Sequence, residues 1–433
     1  MAATSGKKPI LGFGFNVVLL ALVSFFQDVS SEMIAPLLPL FVISLPGASA
    51  AMVGLIEGLA DSTSSLLKVF SGYFSDRAGK RKAFVTAGYG FSTLAKAFLP
   101  FASAWTHVLG VRFADRVGKG IRTAPRDAII AASADANSRG RAFGFHRAMD
   151  TAGAVFGPAV VVLLLVFLKL EIRQIFLIAL IPAFIAVALT LFVKERKEGT
   201  IKRFLLAKPK KEFVWMLAIG GLFSFGNISY AFFILKASQV LGTAAAGTKI
   251  LGGTGGVIIP VLLIYIFFNI VYALSAMPAG SLSDKIGRRP TIIAGYLIFA
   301  LCALGFAFVE SLPSAAALPV LVGLFALYGM SQAVDEVIPR ALVADISDPA
   351  NRATTLGAYS MIVALVNLPS DVVAGLIWIY GWEWGMEPGM LTFLVCAGIG
   401  IVSAVLFQIF VNRRGVGRGG GSAENMKNAK VSQ

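Results

Sequence analysis

Six charged side chains lie at helical spacing within residues 107–133, a segment that is otherwise rich in small and apolar residues. They are Arg112, Asp115, Arg116, Lys119, Arg122 and Arg126. Steps of three, one, three, three and four residues place them on one broad face of a helix, opposite Val117 and Ile121. Asp115 can pair with Arg112 or Lys119 on its own helix, but one acid does not neutralise five cations. The pattern therefore favours a cationic stripe that lines a cavity over packing alone.

Carboxylates occupy several other apolar segments and form a second set of candidate functional residues. They are Asp28, Glu32, Asp150, Asp335, Glu336 and Asp371. A carboxyl group in a low-dielectric cavity holds a proton more readily than one in water, so each is a candidate proton carrier. The alternative is that they are counter-ions for the cations.

The candidate ligands for a substrate anion are the cations that lie deepest in these segments. They are Arg116, Lys119, Arg122, Arg126 and Arg147. A charged side chain at the centre of a membrane helix costs about 2.5–3.5 kcal/mol on insertion scales, so cations at this depth are expected to face protein or water. No metal-ligand spacing accompanies them, and no nucleophile is placed with a histidine and an acid, which disfavours an enzyme.

The elements that hold these residues are predicted from composition. The chain has 433 residues, of which 57% are hydrophobic and 14% charged, whereas soluble domains carry about 25% charged residues. In a soluble protein the net charge of +15 would suggest nucleic acid as a partner. Here Lys and Arg cluster in alternate connecting segments, as at 77–82 and 194–211. This distribution follows the positive-inside rule, so we expect a protein of the plasma (cytoplasmic or inner) membrane with both termini in the cytoplasm. The expected partner of these basic residues is the lipid bilayer and not nucleic acid.

Apolar stretches of roughly 20 residues, the length that crosses a bilayer, divide the chain into twelve predicted transmembrane helices. These lie near 12–45, 50–74, 83–103, 107–133, 142–168, 174–194, 213–240, 257–282, 291–309, 315–345, 353–380 and 389–412. The charged segment 195–212 is a predicted cytoplasmic linker between two six-helix bundles at 12–194 and 213–412. Residues 1–11 are a predicted cytoplasmic N-terminus, and residues 413–433 a disordered cytoplasmic tail. The fold class is an all-α membrane protein.

The two halves share a short motif between their second and third helices. Residues 72–81 read GYFSDRAGKR, and residues 280–289 read GSLSDKIGRR. The candidate gating residues in the two copies are Gly72, Asp76, Arg77, Gly79, Arg81, Gly280, Asp284, Gly287 and Arg288. Repeats at matching positions are typical of transporters in which two bundles enclose a midplane site. Membrane topology and loop packing explain these residues as well as gating does.

The doubled motif resembles the G-x-x-x-D-R-x-G-R-K signature of the major facilitator superfamily, and this resemblance covers essentially the whole chain. Gly153, Gly157 and Pro158 resemble the G-x-x-x-G-P motif that this superfamily has in the fifth helix of its antiporters. The resemblance implies the major facilitator fold, in which two pseudo-symmetric six-helix bundles rock about a central cavity.

The expected function is secondary active transport of a small anionic or zwitterionic solute by alternating access, coupled to protons. No cofactor or metal is expected, and the protein is expected to be a monomer. One alternative is a multidrug/proton antiporter that exports its substrates, which the G-x-x-x-G-P motif favours. Another, from a different class, is a membrane receptor or scaffold that transports nothing.

The repeat also predicts one specific contact. Aligning Pro125–Arg126 with Pro339–Arg340 sets Arg122 opposite Glu336 in pseudo-symmetry. We expect an ion pair between them across the empty cavity, which an anionic substrate would break. The alternative is that Glu336 pairs with Arg340, four residues on in the same helix.

Overall fold

The computed structural model describes residues 13–133, 139–194, 211–246, 255–346 and 352–411. The predicted N-terminal segment 1–11, the tail 413–433 and the linker up to residue 210 lie outside these ranges.

The described residues fold into fifteen α-helices. The first eight are α1 (Phe15–Ile34), α2 (Leu38–Ile43), α3 (Ala50–Ala78), α4 (Arg81–Ala97), α5 (Trp105–Ser133), α6 (Arg139–Leu168), α7 (Ile172–Ile178) and α8 (Leu180–Thr190). The other seven are α9 (Lys211–Gly226), α10 (Tyr230–Ala246), α11 (Gly255–Ile286), α12 (Arg288–Phe308), α13 (Ser314–Ile346), α14 (Arg352–Glu383) and α15 (Met390–Phe410). Single 3₁₀ turns at Leu99–Phe101 and Val309–Ser311 follow α4 and α12.

Some predicted helices are interrupted where the chain cannot continue its hydrogen bonds. The first predicted segment, 12–45, is two helices with a turn at residues 35–37 between them. Pro36 lies in this turn and Pro39 at the start of α2, and proline has no backbone N–H to donate to the preceding helical turn. In the same way the segment 213–240 is α9 and α10, separated by residues 227–229.

Nine helical segments of the described chain are long and apolar enough to cross a membrane. They include all the long helices except α3, α4 and α5. These three differ from the others because they carry more charge, above all α5 with its cations, or because they are short, as α4 is with 17 residues. Large apolar side chains are exposed on the outside of the molecule, among them Phe101, Phe167, Leu274 and Met277. Such a surface suits lipid and not water.

The helices that carry most of the charge are enclosed by the others. Helix α5 packs against both α3 and α4, α1 packs along α6, and α3 packs along α14. Helix α11 contacts α6 and α13, which brings the second part of the chain beside the first. The charged faces of α1, α3, α5 and α6 are thereby turned toward one another.

Candidate functional site

A cavity of about 290 Å³ lies between these helices, and we call it the central cavity. Helices α1, α3, α5 and α6 line one side of it, and α10 and α11 line the other through Tyr230, Asn269 and Tyr272. Its cationic lining residues are Arg112, Arg116, Lys119, Arg122 and Arg147. Its acidic lining residues are Asp28, Glu32, Asp61, Asp115 and Asp150. The structure thus brings together charges from four helices of the first half of the chain.

The balance of these charges corrects the expectation of a cationic stripe. Five cations face five carboxylates in the central cavity, because α1, α3 and α6 contribute acids in addition to Asp115 of α5. The face of α5 is cationic as the sequence indicates, but the space in front of it is not. Helical spacing within one segment cannot show what the neighbouring helices contribute.

Arg112 of α5 is held in a buried ion pair with Glu57 of α3. Its Nη2 donates to both carboxylate oxygens of Glu57 at 2.9 Å, and the two side chains are 6% and 3% exposed. Asp115 lies 3.8 Å from the same guanidinium and accepts a hydrogen bond from Ser92. A buried ion pair of this kind fixes the position of the guanidinium and leaves Arg112 little freedom to bind a solute.

Arg126, a predicted substrate ligand, does not line the central cavity. Its Nη2 lies 2.9 Å from Oδ1 of Asp127, the next residue along the chain, and its Nη1 donates to Ser24 Oγ at 3.5 Å. An adjacent carboxylate therefore turns Arg126 away from the space that Arg116, Lys119, Arg122 and Arg147 share.

The predicted proton carriers divide into two groups. Asp28, Glu32 and Asp150 line the central cavity, whereas the other three belong to the second half of the chain and do not. Asp335 accepts a hydrogen bond from Asn227 Nδ2 at 3.2 Å. Asp371 accepts one from the backbone N–H of Ser229 at 2.8 Å, at the break between α9 and α10.

The Gly153–Pro158 motif of α6 positions the two acids of α1. A Cβ atom added at Gly153 would lie 2.8 Å from Phe25 O and 2.9 Å from Asp28 Cβ. One added at Gly157 would lie 2.8 Å from Val29 O and 2.9 Å from Glu32 Cβ. Only glycine allows so close an approach of the two backbones. The motif therefore sets the distance between α1 and α6 at Asp28 and Glu32.

Hydrogen bonds within and across the two halves hold these acids. Tyr265 of α11 donates to Glu32 Oε2 at 2.9 Å. Ser24 of α1 donates to Asp150 Oδ1 at 2.6 Å, and Asp28 lies within hydrogen-bonding reach of Asp150. The acidic side of the central cavity is thus an organised group and not a set of isolated charges.

Glu336 is paired with Arg147 of α6, which corrects the predicted Arg122–Glu336 pair. Arg147 Nη2 lies 3.0 Å from Glu336 Oε1 and donates to the Tyr272 hydroxyl at 3.0 Å, and this hydroxyl in turn donates to Glu336. Arg340, the predicted alternative partner, also contacts Glu336, at 3.4 Å.

Arg122 faces α4 instead of the second half of the chain. Its guanidinium lies over the ring of Tyr89, 4.3 Å from the centroid. The reason is the close packing of α4 on α5, since a Cβ added at Gly88 would lie 2.7 Å from Arg122 Cβ. Pseudo-symmetry between the halves predicts that Arg122 lies at the same depth in the membrane as Glu336, but it does not predict the direction in which the Arg122 side chain points.

The two copies of the repeated motif lie at the turns α3–α4 and α11–α12. Gly79 and Gly287 have φ angles of +62° and +102°, which glycine adopts without strain. In the second copy Arg288 pairs with Asp284 at 2.5 Å and with Asp345 of α13 at 3.1 Å. These contacts tie the start of α12 to α11 and α13, as loop packing requires.

In the first copy, Arg77 lies in the last turn of α3, and a Cβ added at Gly72 would contact Ala124 of α5 at 3.2 Å. Arg81 begins α4. The side chain of Asp76 lies outside the described part of the chain. In the second copy, Gly280 is loosely packed, with Val337 3.9 Å from an added Cβ. The gating role of both copies stays a prediction.

Comparison with known proteins places the chain in a family. The model of the Major Facilitator Superfamily matches residues 20–267 and 261–433. An uncharacterized MFS-type transporter of Methanocaldococcus jannaschii is 38% identical over 395 residues, which cover 90% of this chain and 94% of that protein.

Solved structures with the same fold include a variant of the nucleoside transporter NupG, with a TM-score of 0.76 at 14% identity. That match covers 92% of this chain and 100% of the other. A D-xylose-proton symporter matches with a TM-score of 0.72 at 16% identity, over 92% of this chain and 97% of that one. The family that the doubled motif predicts is confirmed, and the chain belongs to the Major Facilitator Superfamily as an integral membrane transporter.

Proposed function

We propose that this protein is a proton-coupled secondary active transporter that moves a small anionic or zwitterionic solute by alternating access. The observation that carries the proposal is the central cavity, where ten charged side chains meet inside an apolar helical protein. Burying so many charges is costly, and within membrane proteins ionisable residues mark solute and proton pathways.

The proposal includes twelve transmembrane helices in two six-helix bundles, in the plasma membrane. Helices α3, α4 and α5 join the nine apolar segments, and they bury part of their charge inside the molecule, at Glu57, Lys96, Arg112, Asp115 and Arg122. Both termini are cytoplasmic, as the distribution of Lys and Arg favours, and the functional unit is a monomer.

The two halves of the chain meet in different ways on the two sides of the central cavity. On one side, α3 and α14 are in backbone contact: a Cβ added at Gly58 would lie 3.0 Å from Leu368 Cα, and Ser62 Oγ donates to Ala364 O at 2.8 Å. On the other side, α6 packs against α11, and Arg147 contacts Glu336 through side chains that are 54% and 32% exposed. This asymmetry supports a conformation that is sealed at α3–α14 and only lightly closed at Arg147.

The predicted topology assigns these sides. Helix α3 ends at the Gly79 turn, next to the cationic segment 77–82, which marks the cytoplasmic side. The contact of α3 with α14 lies in the first half of α3, away from this end, so the Arg147–Glu336 contact belongs to the cytoplasmic side. The α3–α14 contact belongs to the opposite side. In the alternating-access cycle the α3–α14 contact opens when the cytoplasmic side closes fully.

The proton carriers that the geometry favours are Asp28 and Asp150. Two carboxyl groups within hydrogen-bonding reach of each other share a proton, because two like charges at that distance repel strongly. Arg147 Nη1 lies 3.3 Å from Asp150 Oδ2, so loss or gain of this proton alters the guanidinium that also holds Glu336. Proton binding is thereby connected to the contact between the two halves.

The alternative of a multidrug exporter agrees less well with this site. Pockets for drug-sized ligands measure about 300–1,000 Å³ and are mostly apolar. The central cavity, at about 290 Å³, is at the lower end of this range, and it is lined by charges instead of apolar side chains. The glycine motif that favoured this alternative serves the packing of α1 on α6.

The test is solute uptake into proteoliposomes with an imposed pH gradient, acidic on the side from which the labelled solute enters. Succinate, 3-phosphoglycerate and a mixture of amino acids serve as the first labelled solutes. We expect a solute to accumulate, and we expect a protonophore to abolish this accumulation. The variant Asp28→Asn should lose accumulation but keep solute exchange at equal pH, because exchange needs no net proton movement. Asp335→Asn, which is outside the central cavity, serves as the matched control and retains accumulation. Uptake of every solute that is the same with and without the gradient would contradict proton coupling.

A further inference from the structure

Opposite charges meet in the central cavity without pairing to one another. Arg116, Lys119 and Arg122 lie on α5, whereas Asp28 and Glu32 lie on α1. In the part of the chain that the structure describes, the salt bridges within 4.0 Å involve none of these five side chains. The Arg112–Glu57 pair, only one to three turns away, shows how this protein builds a purely structural ion pair.

The cationic side of the cavity has donors that lack an acceptor. Arg122 is 5% exposed, and its Nε and Nη1 are buried without a hydrogen-bond partner among the described residues. Arg116 Nε is also buried without a hydrogen-bond partner among the described residues. Buried donors are almost always satisfied in folded proteins, so two arginines that line the cavity and have unused donors indicate a ligand with acceptor oxygens.

The acidic side is fixed in place and has acceptor capacity to spare. Close packing at Gly153 and Gly157 holds the Cβ atoms of Asp28 and Glu32 against α6. Glu32 accepts one hydrogen bond at Oε2, from the Tyr265 hydroxyl. A carboxylate has acceptor sites for about four hydrogen bonds, so Glu32 can also receive the N–H groups of an ammonium ion.

The charge of the whole site also restricts the ligand. The charged side chains that line the central cavity balance, with five cations and five carboxyl groups. A neutral site with separated charges is matched by a solute that is itself neutral overall and carries separated charges.

We propose that the central cavity binds a zwitterion, with its carboxylate or phosphonate on Arg122 and Arg116 and its ammonium on Glu32. This inference rests on the proposed transport function and names its substrate class. A simple anion would satisfy the arginines but would face the acids of α1, and a simple amine would meet the reverse conflict. The central cavity, at about 290 Å³, favours a small solute such as an amino acid or an aminophosphonate.

The experiment compares matched compounds for binding to the purified full-length protein by calorimetry or thermal shift. One set is leucine, 3-methylbutylamine and 4-methylpentanoate, and a second is alanine, ethylamine and propionate. A third set, 2-aminoethylphosphonate, ethylamine and ethylphosphonate, distinguishes a phosphonate group from a carboxylate. We expect at least one zwitterion to bind roughly tenfold or more tightly than both of its single-charge analogues, because each loses a charge-assisted contact in a buried site.

Variants test the assignment of each charge through the change in discrimination, which a merely structural role would not produce. In Arg122→Gln or Arg116→Gln, the zwitterion should bind no better than the amine. In Glu32→Gln, it should bind no better than the acid. Arg173→Gln is the matched control, because Arg173 donates to Pro100 O outside the cavity and its loss should leave both ratios unchanged.

The outcomes separate this inference from the proposed function. An acid analogue that binds as tightly as its zwitterion, or the absence of binding by every zwitterion, overturns the inference. An anion without an amine that accumulates with the pH gradient also overturns it, while proton-coupled transport stands. A zwitterion that binds as expected but never accumulates with the gradient supports the assignment of the site and contradicts proton coupling.

Discussion

Arg147 makes more cross-connections than any other cation of the central cavity that the structure describes. Its two terminal nitrogens contact Asp150 of α6 and Glu336 of α13, and the Tyr272 hydroxyl of α11 completes the group. One guanidinium thus touches the proposed proton pair and the opposite half of the chain. A change in the contact with Asp150 therefore alters the contact with Glu336, and the reverse also holds, because the same planar guanidinium makes both.

A double-mutant cycle tests this connection at the level of single residues. Arg147→Gln and Glu336→Gln should each slow transport, and the double variant should lose less than the sum of the two losses. Because both side chains are partly exposed, we expect a coupling energy at the low end of the range of about 0.5–3 kcal/mol for residues in contact. The measurement is the rate of solute exchange in proteoliposomes.

The control cycle joins Arg122→Gln with Glu336→Gln. These residues lie at matching depth in the two halves but contact different partners, Tyr89 and Arg147. Their losses should therefore add. Strict additivity in the Arg147–Glu336 cycle would mean that the ion pair has no role in transport. Strong coupling in the control would mean that the coupling is not specific to residues in contact.

The residues of the candidate site could be predicted from the sequence to different degrees. The cationic face of α5 follows from helical spacing within one segment. The partners do not, since Glu57 is 55 positions from Arg112 and Glu336 is 189 positions from Arg147. Such pairs depend on how the helices pack and rotate, for which spacing within a single helix carries no information.

At the scale of the element, two glycines of α6 decide where the acids of α1 lie. Gly157→Ala would place a methyl group 2.8 Å from Val29 O and 2.9 Å from Glu32 Cβ, so α1 must move away. We expect a loss of stability of about 1–3 kcal/mol, as for other overpacked positions. Solute binding should weaken as well, because Glu32 is displaced.

The matched control is Gly144→Ala in the same helix. An added Cβ at Gly144 meets nothing within 4 Å, and alanine is a better helix former than glycine by about 0.8–1.0 kcal/mol. Thermal unfolding of both variants in the same detergent is the measurement. If the two have equal melting temperatures, the close α1–α6 contact is not what the motif provides.

The elements themselves illustrate which features of a membrane protein a sequence reveals. Of the twelve segments predicted from the sequence, nine are long and apolar enough in the described chain to cross a membrane, and α5 is not among them because of its charges. Proline positions mark the interruption between α1 and α2, but the sequence does not indicate whether a proline breaks a helix. Pro125 and Pro158 lie inside the unbroken helices α5 and α6, where neighbouring helices support the backbone.

At the scale of the whole molecule, the repeated motif predicts the family, but it does not predict which side of the cavity is closed. The close contact of α3 with α14 depends on small residues on both helices. A Cβ added at Gly375 would lie 2.5 Å from Ala51 Cα, and one added at Gly58 would lie 3.0 Å from Leu368 Cα. Glycine on a membrane helix has several uses, so its role at this interface becomes evident only when the partner helix is known.

Alternating access requires the α3–α14 contact to open during transport, and a cross-link across this contact tests whether it does. Ser62→Cys and Ala364→Cys would place two thiols where a side-chain hydroxyl now meets a backbone carbonyl at 2.8 Å. The native Cys302 and Cys396, both buried and free, are first replaced by alanine. The control pair, Asn16→Cys with Ser133→Cys, joins α1 to α5 within one half, where the native side chains are 3.0 Å apart.

Solute flux in proteoliposomes is then measured before oxidation, after it, and after reduction. Alternating access predicts that the Ser62–Ala364 cross-link stops net flux and that reduction restores it. The control cross-link should leave flux nearly unchanged. Full flux through protein that is completely cross-linked between α3 and α14 would mean that transport does not require this contact to open.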